Sequence, residues 1–140
     1  MEATLKFIGH INTPYEAIVD CPNNVDPNGP LCQLVIREEF TEGLSGLIPG
    51  QKILILYWFE NTNRNIMQQG SNRGSNTGGE FIGTFALRSP HRPNPIGAAV
   101  LPIDTIHNGV IAVKGLDCLN GTHLLDIKPA ILQEDSNRDT

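Results

Sequence analysis

The chain has 140 residues, of which 39% are hydrophobic and 18% are charged, and its formal net charge is −5. This length predicts a single domain with its own hydrophobic core. The negative net charge argues against a protein whose main function is to bind nucleic acid. No apolar run reaches the length of a membrane span and the first residues lack a secretory signal pattern, so we expect a cytoplasmic protein without a membrane partner.

Short strands separated by turn signals dominate the predicted secondary structure. The predicted strands cover residues 4–11, 31–36, 52–59, 80–87, 97–106, 110–116 and 123–127. A helical turn is predicted over 41–47, and Asn108-Gly109 and Asn120-Gly121 each carry the signal of a two-residue hairpin turn. About seven strands and little helix predict an all-β fold over residues 1–134, with 135–140 as a polar tail. Closure into a small antiparallel or mixed β-barrel would remove exposed strand edges.

The three cysteines, Cys21, Cys32 and Cys118, are odd in number and widely spaced. This spacing fits neither a disulfide framework nor a zinc pattern. We therefore expect reduced structural thiols and no metal site.

A cationic stretch interrupts the acidic chain. Residues 61–103 hold four arginines and one acidic residue, a net charge of +3, which either steers an anionic ligand or reflects chance clustering. Its first part, residues 61–79, is rich in asparagine, glutamine and glycine, and we expect a mobile loop there. Such a loop either orders around a ligand or is a plain insertion.

The loop over residues 88–97, Arg-Ser-Pro-His-Arg-Pro-Asn-Pro-Ile-Gly, is the most distinctive run. Its prolines fix their own φ and restrict the residues before them, so the loop is predicted to be stiff. Arg88 and Arg92 offer planar guanidinium groups suited to carboxylate or phosphate, and His91 can move a proton near neutral pH. This combination favours a site for an anionic or nucleotide-like ligand over a turn with surface arginines.

A second polar pair lies near the end of the last predicted strand. Asp126 and Lys128 are two residues apart, so on a strand they face the same side. The carboxylate could pair with the lysine, or one group could bind a ligand while the other takes a proton. Spacing alone favours a surface ion pair.

Together, residues 8–14, 43–47, 57–59, 88–97 and 115–129 resemble the TsaA-like family of S-adenosylmethionine-dependent tRNA methyltransferases. The proline loop and the Asp-Ile-Lys-Pro run at 126–129 are the most specific matches. The resemblance implies a β-barrel methyltransferase unlike the Rossmann type, usually a homodimer. It also implies N6-methylation of N6-threonylcarbamoyladenosine beside the tRNA anticodon. No Gly-x-Gly-x-x-Gly follows a strand, which agrees with a non-Rossmann fold.

S-adenosylmethionine is the cofactor that the resemblance implies, and its contacts can be carried over by position. The implied cofactor-binding residues are Leu31, Cys32, Gln33, Glu60, Asn61, Arg88, Ala98, Cys118, Leu119, Asn120 and Gly121. The chain departs from the family at Cys32, where an arginine contact is missing, and at Glu60, where histidine is frequent. Further departures from the usual family residues occur at Leu31, Leu87, His123 and Ala130.

The implied reaction needs a base, because an N6 atom that carries a carbamoyl group is a poor nucleophile until it loses its proton. His91 and Asp126 are the candidates for this base. Arg88 or Arg92 would stabilise the anion or bind the threonyl carboxylate, and Lys128 would meet a phosphate. The predicted substrate contacts are Arg92, Asn94 and Lys128.

Three other interpretations stay open. The chain could methylate another RNA or a small molecule, or it could bind S-adenosylmethionine or a nucleotide without chemistry. A purely structural barrel is the third, and the proline loop argues against it.

Overall fold

The computed structural model describes residues 1–71 and 80–131. Predictions for residues 72–79 and for the polar tail at 135–140 lie outside these ranges. The chain folds as two compact units, of which the larger combines Met1–Trp58 with Ala98–Thr140 and the smaller is Phe59–Gly97.

Nine β-strands are present among the described residues. They are β1 (Gly9–Asn12), β2 (Leu31–Ile36), β3 (Lys52–Trp58), β4 (Gln68–Ser71), β5 (Glu80–Gly83), β6 (Ile96–Pro102), β7 (Thr105–His107), β8 (Val110–Lys114) and β9 (Thr122–Pro129). Three short 3₁₀ segments cover Ile18–Asp20, Glu38–Leu44 and Thr84–Ala86. Within the described ranges, none of these helical segments has the length and apolarity needed to cross a membrane.

Seven of the strands form one sheet in the order β6-β3-β9-β1-β2-β8-β7, and β4 pairs with β5 in a separate two-stranded sheet. The pairings with a defined register are all antiparallel. The prediction of a mostly β, antiparallel fold is therefore confirmed. In the described part of the chain the larger sheet has β6 and β7 at its two ends, so the prediction of a closed barrel is not confirmed.

Strand β3 shows how the sequence builds the core. Its sequence is a nearly continuous apolar run, yet full burial alternates: Ile53 and Ile55 are 0% exposed and Tyr57 is 2% exposed. The residues between them are only half-buried. One face of β3 therefore packs into the core, as expected when successive side chains point to opposite faces of a sheet.

A β-bulge in β9 decides which face its polar residues occupy. Leu124 pairs with Tyr57 and Asp126 pairs with Leu56, so Leu125 is an extra residue without a partner on β3. An extra residue shifts the side-chain alternation by one position. Leu124 is consequently buried while Asp126, two residues later, stays half-exposed.

The two Asn-Gly signals have different outcomes. Asn108 and Gly109 have φ values of 50° and 76° and join β7 to its antiparallel neighbour β8, so this predicted hairpin is confirmed. The hairpin predicted at Asn120-Gly121 is wrong, because β9 pairs with β1 and β3 rather than with β8. Gly121 does adopt a positive φ of 86°, but the backbone N–H of Asn120 bonds the carbonyl of Tyr15 instead of closing a hairpin.

Two predicted strands end early for identifiable reasons. The strand predicted over 80–87 ends at Gly83, because Thr84 turns into the interior, where it is 1% exposed. The strand predicted over 97–106 breaks after Pro102, a residue that has no N–H to donate to a strand ladder. Smaller differences are the start of β1 at Gly9, the start of the 3₁₀ segment at Glu38, and the presence of β4 within a predicted loop.

Replacing Gly115 with alanine is expected to destabilise the fold by about 3 kcal/mol or more. Gly115 has a φ of 87°, and a Cβ there would collide with the carbonyl oxygen of Asp26. Gly121 is the matched control, since its φ is 86° and no described atom lies within 4 Å of its Cβ position. Gly121→Ala should cost only about 1 kcal/mol. Urea unfolding of both variants measures the difference, and equal losses would contradict the collision.

Candidate functional site

The proline loop of the smaller unit is fixed by the segment that precedes β4 and by the first residues of that strand. The backbone N–H of Asn63 donates to Nδ1 of His91 at 3.0 Å, and Nε of Arg64 donates to the carbonyl of Pro93 at 2.7 Å. Nε2 of Gln69 donates to the carbonyl of His91 at 2.8 Å. These bonds join residues at least 22 positions apart, so the predicted stiffness has a tertiary as well as a local origin.

Thr84 lies at the centre of this network. Its buried hydroxyl accepts a hydrogen bond from Nε2 of Gln69 at 2.9 Å and donates to the carbonyl of Ile66 at 3.0 Å. Residues 61–71, predicted as part of a loop, are thus bonded to the core of the smaller unit and include β4. The rest of the predicted loop, residues 72–79, lies outside the described ranges.

The guanidinium group of Arg92 is oriented by backbone carbonyls. Its Nη1 donates to the carbonyl of Leu87 at 2.9 Å and to that of Ser89 at 3.0 Å. Among the described residues, Nε and Nη2 of this half-buried side chain have no partner. The Nε–Nη2 edge can therefore take a carboxylate or phosphate in the two-bond geometry that suits arginine.

The hydrogen bond to His91 defines the chemistry of its ring. Because Nδ1 accepts the N–H of Asn63, the proton of the neutral ring lies on Nε2. The exposed ring then presents an N–H donor to a ligand. A base would need the opposite, an unprotonated Nε2, so this geometry favours a hydrogen-bonding role over proton abstraction.

The other predicted site residues of the smaller unit are all exposed. They are Glu60, Asn61, Arg88 and Asn94. Asn61 has a φ of 58°, in the left-handed region that asparagine tolerates better than most residues.

In the larger unit, two of the predicted cofactor segments meet around the end of β1. Oδ1 of Asn120 accepts from the backbone N–H of Thr13 at 3.0 Å, and the N–H of Asn120 donates to the carbonyl of Tyr15 at 2.7 Å. On the other side of β1, Nδ2 of Asn12 donates to Oε1 of Gln33 at 3.4 Å. The end of β1 thus lies between the predicted segments 31–33 and 118–121.

The predicted cysteine contacts face inward. Cys32 is 1% exposed and Cys118 is 2% exposed, and both carry free thiols, as expected. Burial raises the pKa of Cys118 to about 12 and also raises that of Cys32, so both thiols are neutral at physiological pH. A ligand at this place would meet the backbones of these residues rather than their sulfur atoms.

Asp117 was not among the predicted site residues. The hydroxyl of Tyr57, a buried residue of β3, donates to Oδ1 of Asp117 at 3.1 Å. Burial is the main cause that raises the pKa values of Cys21 and Cys118, and the Asp117 carboxylate adds to both shifts. A half-buried negative charge therefore lies beside the predicted cofactor segment. One sequence signal could have found it, because a buried tyrosine hydroxyl needs a polar partner.

The remaining predicted cofactor residues of the larger unit differ in exposure. Leu31, at the start of β2, is 53% exposed. Leu119 and Ala98 are half-buried, and Gly121 is exposed. His123, a departure from the family, stacks on Phe7 with ring centroids 4.6 Å apart and planes inclined by 12°.

Asp126 and Lys128 face the same side of β9, as predicted, and form an ion pair at 3.3 Å. Their side chains are 46% and 59% exposed, which is typical of a surface pair. Asp126 also borders a largely apolar groove of about 500 Å³. The other groove residues are Ile8, Ile36, Phe40, Gly43, Leu44, Ser45, Gly46, Leu47, Gln51, Ile127 and Pro129. The two predicted catalytic residues belong to different units, Asp126 to the larger and His91 to the smaller.

Residues 10–136 match the family model of the tRNA-methyltransferase O N-terminal domain. The chain belongs to this family. The match confirms the TsaA-like resemblance that the proline loop and the run at 115–129 carry.

Two kinds of name occur among proteins that are similar to this chain. A probable S-adenosyl-L-methionine-binding protein VirR of Rhizobium radiobacter is 41% identical over 128 residues, which are 91% of this chain and 71% of that protein. A tRNA (adenine(37)-N6)-methyltransferase of Rattus norvegicus is 28% identical over 134 residues, or 92% of this chain and 31% of that protein.

The fold is that of solved TrmO structures. One TrmO crystal structure superposes with a TM-score of 0.79 at 26% identity, and another, from Pseudomonas aeruginosa, with a TM-score of 0.76 at 25% identity. This chain is covered completely in both cases, but it spans only 62% and 61% of those chains.

Proposed function

We propose that this protein is an S-adenosylmethionine-dependent methyltransferase that methylates N6 of N6-threonylcarbamoyladenosine in tRNA. The observation that carries the proposal is the hydrogen-bonded proline loop, which holds Arg92 with its Nε–Nη2 edge available for an anion. The names of the relatives support both halves of the proposal, since some are S-adenosyl-L-methionine-binding proteins and others tRNA (adenine(37)-N6)-methyltransferases.

The residues around the end of β1 fit the methyl donor. S-adenosylmethionine supplies an electrophilic methyl group on a positively charged sulfur, and its amino acid part carries an ammonium group as well as a carboxylate. Asp117, held by the buried hydroxyl of Tyr57, offers a carboxylate to this cationic part. Gln33 keeps its amide NH2 group for a ligand, whereas the amide of Asn120 bonds Thr13 and Glu16 and so fixes the segment 118–121. Glu60, Asn61 and Arg88 remain predicted cofactor contacts in the smaller unit.

The proline loop fits the acceptor. The Nε–Nη2 edge of Arg92 binds the threonyl carboxylate with two parallel hydrogen bonds, and Nε2–H of His91 donates to an oxygen of the carbamoyl group. This donation stabilises the negative charge that develops when N6 loses its proton. Asn94 and Lys128 remain predicted substrate contacts, and Asp126 remains the candidate base. Methyl transfer is an in-line attack, so positioning supplies most of the catalysis.

The assembly and location follow from the same resemblance. We propose that residues 1–134 form the methyltransferase domain, with 135–140 as a polar tail, and that the protein works in the cytoplasm as a homodimer. The match of the family model to residues 10–136 supports one domain over most of the chain.

A methylation assay on two matched tRNAs tests this function. With S-adenosylmethionine, the purified protein should add one methyl group to tRNA that carries threonylcarbamoyladenosine and none to the same tRNA without it. The second tRNA lacks the carboxylate that Arg92 is proposed to bind. Mass spectrometry of the digested nucleosides gives the product. Equal methylation of both tRNAs would contradict the proposed acceptor.

A second candidate is a module that binds S-adenosylmethionine without chemistry. Two observations favour it: the relatives named only for binding, and the buried thiol of Cys32 where the family usually has an arginine. Calorimetric binding of S-adenosylmethionine without methyl transfer to either tRNA would establish this alternative.

A further inference from the structure

The β4–β5 hairpin of the smaller unit has two different faces. Gln69 and Ile82 pair across the hairpin on one face and are half-buried. The amide of Gln69 is bonded to Thr84 and to the carbonyl of His91, so this face is turned toward the proline loop. Because alternate residues of a strand point to opposite sides, the other face is turned away from the loop.

The outer face of this hairpin carries the ring of Phe81, the exposed side chain of Gln68 and two glycines. Phe81 pairs with Gly70, and Gly83 pairs with Gln68. Phe81 is 73% exposed, and among the described residues nothing lies within 4 Å of the Cβ positions of Gly70 and Gly83. The two glycines therefore leave room for a planar ring beside Phe81.

The positive net charge of the smaller unit indicates the chemical class of its partner. Residues 59–97 contain four arginines and two glutamates, a net charge of +2, whereas the rest of the chain has six basic and thirteen acidic residues, a net charge of −7. A polyanion is therefore repelled by most of the protein and attracted by this unit. An exposed aromatic ring in a cationic setting is the usual combination for unpaired nucleotides, which stack on aromatic side chains.

We propose that the outer face of the β4–β5 hairpin is a stacking platform for an unpaired base of the RNA substrate, with Phe81 as the stacking residue. The inference rests on the proposed function, and it names a contact with the nucleic acid outside the reacting nucleoside. A second copy of this chain is a poorer occupant, because a stable dimer interface takes about 20–30 residues a side.

Four variants test the platform by fluorescence anisotropy with a labelled tRNA anticodon stem-loop at fixed salt. Phe81→Ala and Phe81→Leu should each weaken RNA binding about tenfold, and Phe81→Tyr should preserve it, because stacking needs a flat ring. Gly70→Ile should also weaken binding about tenfold, since its Cβ has nothing within 4 Å among the described residues and its side chain would cover the face beside Phe81. Calorimetric binding of S-adenosylmethionine should stay unchanged in all four.

Ile18→Ala is the matched control, because Ile18 is 77% exposed but belongs to the acidic larger unit. It should bind the RNA like the unaltered protein. If Phe81→Leu or Gly70→Ile keeps full RNA affinity, the platform is excluded while the proposed function stands. If Phe81→Ala changes the sedimentation coefficient and not the RNA affinity, the face is an interface between copies. If the unaltered protein neither binds nor methylates tRNA, both proposals fail.

Discussion

Replacing Arg92 with lysine is expected to lower kcat/KM for methylation of threonylcarbamoyl-tRNA about 100-fold, which corresponds to roughly 2–3 kcal/mol of transition-state stabilisation. Arg92 does two things at once: Nη1 bonds the carbonyls of Leu87 and Ser89, and the Nε–Nη2 edge is available to the substrate. The single ammonium group of lysine cannot bond both carbonyls and also make two parallel bonds to a carboxylate.

The readouts of this experiment separate anion binding from support of the loop. S-adenosylmethionine affinity by calorimetry and the thermal midpoint of Arg92→Lys should both stay close to those of the unaltered protein. Arg37→Lys is the matched control, since Arg37 is exposed in the larger unit. Full activity of Arg92→Lys would show that the Nε–Nη2 edge does not bind the substrate. A large fall in the thermal midpoint would instead show that Arg92 mainly stabilises the proline loop.

Local signals in the sequence predicted the parts of the fold that depend on neighbouring residues. Strand β2 was predicted at its observed limits, 31–36, and the Asn108-Gly109 hairpin formed because both residues tolerate a positive φ. The same dipeptide signal at Asn120-Gly121 failed because the partner of β9 is chosen by the whole sheet. The bulge at Leu125 likewise depends on pairing with β3, which no local pattern reveals.

In the candidate site, too, the residues with a local sequence signal were predicted and those that depend on distant partners were not. The proline loop was recognisable because its prolines, arginines and histidine are consecutive. Asn63 and Gln69, which hold that loop, were missed because they are 28 and 22 residues from His91 in sequence. Asp117 was missed for the same reason, since its partner Tyr57 lies 60 residues away. The sequence thus predicted the groups that could bind a ligand, but not the residues that position those groups.

Replacing Asp117 with asparagine is expected to weaken S-adenosylmethionine binding about 10- to 100-fold, the range for loss of a charge-assisted hydrogen bond. Asparagine keeps an oxygen that can accept the hydrogen bond from the buried Tyr57 hydroxyl, so the fold should be retained. The substitution therefore removes the negative charge and keeps an acceptor for the Tyr57 hydroxyl.

The affinity for S-adenosylhomocysteine shows which positive charge Asp117 binds, because this compound lacks the sulfonium charge and keeps the amino group. If the carboxylate meets the sulfonium, Asp117→Asn weakens binding of S-adenosylmethionine alone; if it meets the amino group, binding of both compounds weakens equally. Asp104→Asn is the matched control, since Asp104 is an exposed carboxylate in the turn between β6 and β7. Unchanged affinity of Asp117→Asn for both compounds would contradict a cofactor role, and the bond to Tyr57 would then serve only to satisfy a buried hydroxyl.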